Sequence, residues 1–201
     1  MLTWIEIKKQ AIKHNLGQFK KIIGPKVKLM AVVKSNAYGH GMVEIAKIAL
    51  KSGANWLGVA NLDEALMLRR AKIKAPIFIL SYWEMIDQVK EAIKQNIDFP
   101  VYTFEQAEFL SKAAKSIKKK INIHIKIDTG ATRIGVSTEE AVNFIKNPPE
   151  GVRIIEIAPP HDIVIGRATR NLKLLKAAYQ TGIDYGRKHI ETYQGTLHTE
   201  A

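Results

Sequence analysis

Lys34 closes an apolar run, 27–33, and opens a loop that reads Ser35-Asn36-Ala37-Tyr38-Gly39-His40-Gly41. Side chains alternate across a strand, so Lys34 shares a face with Met30 and Val32, opposite Val27, Leu29, Ala31 and Val33. A lysine confined among apolar groups has its ammonium disfavoured by desolvation, which makes the neutral, nucleophilic amine accessible. Such an amine forms a Schiff base with an aldehyde. Gly39 and Gly41 allow backbone to approach a ligand closely. A bare lysine after a strand is otherwise an ordinary solvated loop residue, so its surroundings decide.

A second group lies in the run 121–128, Ile121-Asn122-Ile123-His124-Ile125-Lys126-Ile127-Asp128. Its odd positions are all Ile and its even positions are Asn, His, Lys and Asp. Parallel sheets are normally covered and apolar on both faces. A wholly polar face therefore indicates a barrel lumen or ligand cavity, or else an edge strand facing water. His124 on this face could hydrogen-bond inside such a lumen.

The elements that must position these groups alternate along the chain. Short β-type runs fall at 27–33, 56–60, 76–80, 99–102, 121–128 and 152–158, with helical periodicity between them. The first helix carries Ile12, Leu16, Phe19 and Ile23 on one stripe and stops at Gly24-Pro25. Another carries Ile86, Val89 and Ile93. Asn61 with Glu64, Thr103 with Gln106, and Ser137 with Glu140 have the spacing of helix-capping pairs. Strand–helix alternation at a little over twenty residues per unit implies a parallel sheet with covering helices. A doubly wound sheet and a (β/α)8 barrel both fit. No Gly-x-Gly-x-x-Gly turn follows the first strand, which counts against the dinucleotide-binding version.

The chain has 201 residues, 46% hydrophobic and 25% charged, enough for a sizeable core. It has no cysteine, so cysteine-based metal sites and disulfides are excluded. No apolar run is long enough to cross a bilayer and no signal-peptide core opens the sequence, which makes the cytoplasm the expected location. The net charge of +12 comes mostly from lysines scattered through helices. The densest cluster, Lys112, Lys115, Lys118, Lys119 and Lys120, sits at a helix end, where cations complement the dipole. It lacks the interleaved aromatics of a base-stacking surface. A solvated helix face is the reading, and neither nucleic acid nor membrane is an expected partner.

The string Ala31-Val32-Val33-Lys34-Ser35-Asn36-Ala37-Tyr38-Gly39-His40-Gly41 resembles the pyridoxal-phosphate attachment motif of alanine racemases. The resemblance extends to Trp4-Ile5-Glu6-Ile7, to Gly58-Val59-Ala60 with Asp63-Glu64-Ala65, and to His124-Ile125-Lys126-Ile127-Asp128-Thr129-Gly130 with Arg133-Ile134-Gly135. It covers about residues 4–146. It implies the fold-type III barrel domain, here an incomplete (β/α)8 TIM-type barrel of about six parallel strands. It also implies that Lys34 holds pyridoxal 5'-phosphate as an internal aldimine and acts as one acid/base, with Tyr38 beside the cofactor. Arg133 matches an Arg that contacts the substrate carboxylate and the cofactor. Lys126 matches a Lys that is carbamylated in some members and orients that Arg. Without the carbamate, Arg133 needs another partner, with Asp128 a candidate. Asn36 and His40 belong to the motif as loop-fixing residues.

The implied activity is interconversion of L- and D-alanine by a homodimer, supplying D-alanine for cell-wall precursors. In the family the second base is a Tyr from the partner subunit's C-terminal domain. After about residue 147 the resemblance stops: His161 falls near a family His, but its flanks differ. Residues 161–201 read as a helical tail with Leu172, Leu175, Tyr179 and Ile183 on one stripe. The expected organisation is a partial barrel over 1–160 and this tail. The alternative function is a truncated or non-catalytic pyridoxal-phosphate-binding or interaction domain that lacks the second base.

Overall fold

The computed structural model describes residues 6–128 and 132–152, together with Ala177, Gln180 and Asp184. Side-chain caps set three of its helix starts. The Asn61 side chain accepts the Glu64 N–H at 3.0 Å and the Thr103 hydroxyl accepts the Gln106 N–H at 3.2 Å. Ser137 and Glu140 form a reciprocal capping box. Each cap satisfies donors that the first helical turn leaves unpaired. In chain order the elements are α1 (Lys9–Ile23), β1 (Met30–Val32), α2 (Lys34–Tyr38), α3 (Met42–Lys51), β2 (Trp56–Val59) and α4 (Leu62–Arg70). They continue with β3 (Ile77–Ile79), α5 (Gln88–Lys94), β4 (Ile97–Val101), α6 (Phe104–Ser116), β5 (Ile123–Ile125) and α7 (Thr138–Lys146).

The five strands among the described residues are all parallel and pair in chain order, β1-β2-β3-β4-β5. A doubly wound sheet reverses its strand order at a switch point. No reversal occurs here, so the winding is that of a barrel wall. The register aligns Ala31, Leu57, Ile77 and Ile97 in one row, with Leu57, Ile77 and Ile97 fully buried. This is the helix-covered face. The opposite row runs Val32, Gly58, Phe78 and Asp98.

That second face is concave. The rings of Trp56 on β2 and His124 on β5 lie 6.0 Å apart, edge to face. Three strand spacings would put their backbones about 14 Å apart in a flat sheet. The sheet curls toward its own lumen, and His124 also lies 4.5 Å from the Phe78 ring. Gly58 sits in this wall: a Cβ there would lie 3.0 Å from Leu80 Cδ1 and 3.1 Å from Met30 Sδ.

Several boundaries differ from the sequence reading. β4 begins at Ile97, earlier than expected, and contains Pro100, whose carbonyl accepts the Trp83 indole N–H at 2.7 Å. β5 is shorter than the run 121–128, and beyond it Ile127 makes an isolated parallel bridge to Val136. Ile86 precedes α5 and is exposed, whereas Val89 and Ile93 are fully buried within it. The stripe on α1 exists but buries none of its residues, and Phe19 is 57% exposed. The expected strand 152–158, the boundary near residue 160 and the tail stripe lie outside the described residues. Contacts divide the chain into Met1–Val152 and Arg153–Ala201. In the second unit Gln180 donates to Asp184 one helical turn away. Among the described residues no helix is long and apolar enough to cross a membrane.

Burial makes the two faces unequal in stability. Leu57→Ala, in the fully buried row, should cost about 2–5 kcal/mol. Phe19→Ala on the exposed side of α1 should stay within about 0.5 kcal/mol. Urea denaturation of the full chain measures both.

Candidate active site

Parallel strands deliver every strand-to-helix connection to one end of the sheet, and Lys34 stands there, directly after β1. It is partly buried at the rim rather than enclosed by apolar groups. Among the described residues no carboxylate pairs with its ammonium. The turn it opens is left-handed. Ser35, Asn36, Ala37 and Tyr38 all have φ of 52–53°. Each L-residue in this region costs roughly 1–2 kcal/mol, so the surroundings must hold it.

They do so through named contacts. The Val33 N–H donates to the Gly58 carbonyl at 2.8 Å and the Ala37 N–H to the Val33 carbonyl at 2.8 Å. The Asn36 side chain accepts the Met42 N–H at 2.8 Å. His40 Nδ1 lies 2.9 Å from the Ala37 carbonyl. Asn36 and His40 thus fix the loop, as their place in the motif implied. Glu64 adds a longer link. One carboxylate oxygen accepts the Ala60 N–H at 2.7 Å and the other accepts the Ser35 N–H at 2.7 Å. Ala37 is buried beneath the turn, while Tyr38 is 63% exposed above it.

On the other side of the mouth, Lys126 follows β5 and donates to the Leu80 carbonyl at 2.9 Å, just beyond β3. Its ammonium lies 6.0 Å from the centre of the Tyr102 ring. The Tyr102 hydroxyl donates to the Ser81 carbonyl, and burial pushes its pKa up to about 12. The Tyr102 N–H donates to Gln106 Oε1 at 2.9 Å. Arg133 lies in the next loop and is exposed. Asp128, the candidate partner for Arg133, meets its backbone. Its carboxylate accepts the backbone N–H of Arg133 at 2.9 Å and that of Thr132 at 3.0 Å. It therefore shapes the loop that carries Arg133. Gly135 closes this loop so tightly that a Cβ would lie 2.6 Å from the Asp128 backbone nitrogen.

His124 lies on the concave face before the C-terminal end of β5, exposed on one side and 3.9 Å from the buried Asp98 carboxylate. At the opposite end of the sheet, a hollow of about 650 Å³ is lined by residues that include Trp56, Arg69, Lys72, Asp98 and Asn122. Arg69 donates to the carbonyls of Ile73, Ala75, Gln95 and Asn96 at 2.8–2.9 Å. Burial lowers its pKa from the ordinary value, with Asp98 opposing. The sequence signalled neither the Arg69 cluster nor the reach of Glu64, which looked like one capping partner among three.

A curled parallel wall with a lysine at the rim of its first strand defines a (β/α)-barrel domain with its candidate chemistry at the mouth. Residues 7–157 match the family described as "Alanine racemase, N-terminal domain", and the chain belongs to that family. Residues 138–198 also match a domain of unknown function (DUF6363). Alanine racemase 2 of Oceanobacillus iheyensis is 49% identical over 145 residues, covering 72% of this chain and 37% of that protein. Alanine racemase of Synechocystis sp. is 32% identical over 210 residues, 99% of this chain and 56% of that protein. The crystal structure of alanine racemase from Bacillus anthracis with bound L-Ala-P matches with a TM-score of 0.64 at 31% identity, covering 95% of this chain and 49% of that one. The chain therefore spans between about a third and somewhat over half of the length of these proteins.

The Tyr102 hydroxyl gives a spectroscopic test of the mouth. Tyr102 should ionise near pH 12 rather than near the ordinary value of about 10. Tyr102→Phe should remove that step from the ultraviolet titration. Because the folded pKa is raised, this group's stabilisation is complete below pH 10 and disappears as pH rises through about 12.

Proposed function

We propose that the chain is the cofactor-carrying part of an alanine racemase of the cytoplasm, interconverting L- and D-alanine, with Lys34 as anchor and acid/base. The observation that carries this reading is the Lys34 amine at the end of β1, on a turn held from three directions and within the family's motif. The donor set fits pyridoxal 5'-phosphate at the amine end: a primary amine without a carboxylate partner among the described residues, at an open mouth. When bound, that cofactor supplies an electron sink for the charge left when the α-proton departs.

The protein's own groups then have distinct tasks. Lys34 holds the cofactor through Nζ and moves a proton at one face of the substrate α-carbon. Tyr38, exposed at the same turn, would stand beside the cofactor. Arg133 binds the substrate carboxylate, on a loop that Asp128 shapes through its backbone. Lys126 orients the mouth from β5. Its present acceptor, the Leu80 carbonyl, suits an ammonium, and a carbamate there would exchange that donor for an acceptor able to attract Arg133. Proton exchange on the opposite face needs a second base. In the proposed assembly a homodimer supplies it from the partner's C-terminal domain.

The test uses the full chain with pyridoxal phosphate and L-alanine. Borohydride trapping should place the reduced adduct on Lys34, and Lys34→Ala should lose it. D-Alanine should form above the Lys34→Ala control, which should fall by at least about 100-fold. An adduct retained to the same extent in Lys34→Ala would show that the anchor is misassigned. A Lys34 adduct without D-alanine would favour the non-catalytic binding domain.

A further inference from the structure

We propose that Glu64 is a positioning residue for Lys34, acting as a two-armed strap between the ends of β1 and β2. The inference rests on the function proposed above for Lys34. Among the described residues, the three helices whose first turn is closed by a side-chain cap carry Glu or Gln at their third residue: Glu64 on α4, Gln106 on α6 and Glu140 on α7. All three reach back to an N–H just before their own helix: Ala60, Tyr102 and Ser137. Glu64 alone among these three also crosses to another connection, where its second oxygen accepts the Ser35 N–H at 2.7 Å.

The position of that second bond gives it its consequence. Ser35 follows Lys34 directly and is the first of four consecutive residues at positive φ. Its N–H belongs to the peptide unit that joins it to Lys34, so a carboxylate on this N–H fixes the direction in which the lysine leaves the strand. Charge strengthens both bonds, since an ionised acceptor binds N–H donors more tightly than a neutral one. Asn36 and His40 hold the far side of the turn, toward α3. Glu64 holds its near side, against β2. A helix cap needs only the local arm, so the crossing arm serves the neighbouring turn.

Glu64→Gln separates the two arms with little change of shape. A side-chain amide has one acceptor oxygen, and its NH₂ group would face an N–H donor where the second oxygen stood. Asn61→Ala is the comparison: it removes a cap from the same helix, α4, and leaves both Glu64 oxygens in place. Two readouts on the full-length protein decide the matter. In hydrogen exchange, Glu64→Gln should speed the Ser35 amide and its turn by about tenfold or more, with Leu57 and Ile77 little changed. Asn61→Ala should leave the turn within about twofold of the parent protein. In borohydride trapping with pyridoxal phosphate, the share of adduct on Lys34 relative to the other lysines should fall in Glu64→Gln and hold in Asn61→Ala.

Unchanged exchange at Ser35 in Glu64→Gln would overturn the strap. So would equal effects of the two variants, which would reduce Glu64 to an ordinary cap, or faster exchange at Ser35 with an unchanged Lys34 share of the adduct. If the parent protein itself forms no adduct at Lys34, the function proposed for that lysine fails, and with it the positioning role. The exchange data would still report separately whether the strap exists.

Discussion

Among the described residues, five parallel strands paired in chain order impose one direction on the unit that ends at Val152. Each strand must return by a crossover on the same side, so the helices cover one face and the other curls inward. Lys34, Lys126 and the loop carrying Arg133 all follow strand C-termini, which places them at one end although some hundred residues separate them in sequence. The opposite end, where strands begin, is tied by Arg69 to four backbone carbonyls. Both ends are tied by side chains that donate to backbone carbonyls, Arg69 at one and Lys126 and Tyr102 at the other, but only the second presents the Lys34 amine.

Local conformation and tertiary support are opposed at the Lys34 turn. Ser, Asn, Ala and Tyr are poor choices for four successive left-handed residues, and an isolated peptide of this sequence would avoid that geometry. The turn persists because β2, α3 and α4 each contribute a group that accepts or donates across it. Strain of this kind survives only where the surroundings over-determine it, and such places cluster at functional sites. Here the strain falls on the residues that follow the candidate anchor.

The lumen follows a different logic from the helix-covered face. Leu57, Ile77, Ile97 and Phe99 pack under helices with no exposure. Across the sheet, Asp98, His124 and Lys126 share the concave side with Trp56 and Phe78. The buried Asp98 carboxylate accepts from Asn122 at 3.4 Å and lies near His124, so its polarity is partly answered inside the lumen. This arrangement keeps hydrogen-bonding side chains within the wall without weakening the core on the other face.

Much of this was legible in the residues. Period-two alternation placed His124 on the face opposite Ile123 and Ile125 within β5, because side chains on a strand alternate whatever its neighbours. The pairs Asn61/Glu64, Thr103/Gln106 and Ser137/Glu140 marked helix starts, since capping is local in sequence. The motif around Lys34 identified the candidate anchor. Tertiary structure alone decided the rest. Strand order, the curl that brings Trp56 to His124, and the ends of β4 and β5 depend on pairing between distant segments. Asp128, a candidate partner for Arg133, accepts that residue's backbone N–H, a contact that depends on how the chain between Ile127 and Val136 is folded. The second arm of Glu64 spans 29 residues to Ser35. A carboxylate that caps its own helix looks the same in sequence whether or not its other oxygen reaches a neighbouring strand, because only folding brings that donor within 2.7 Å.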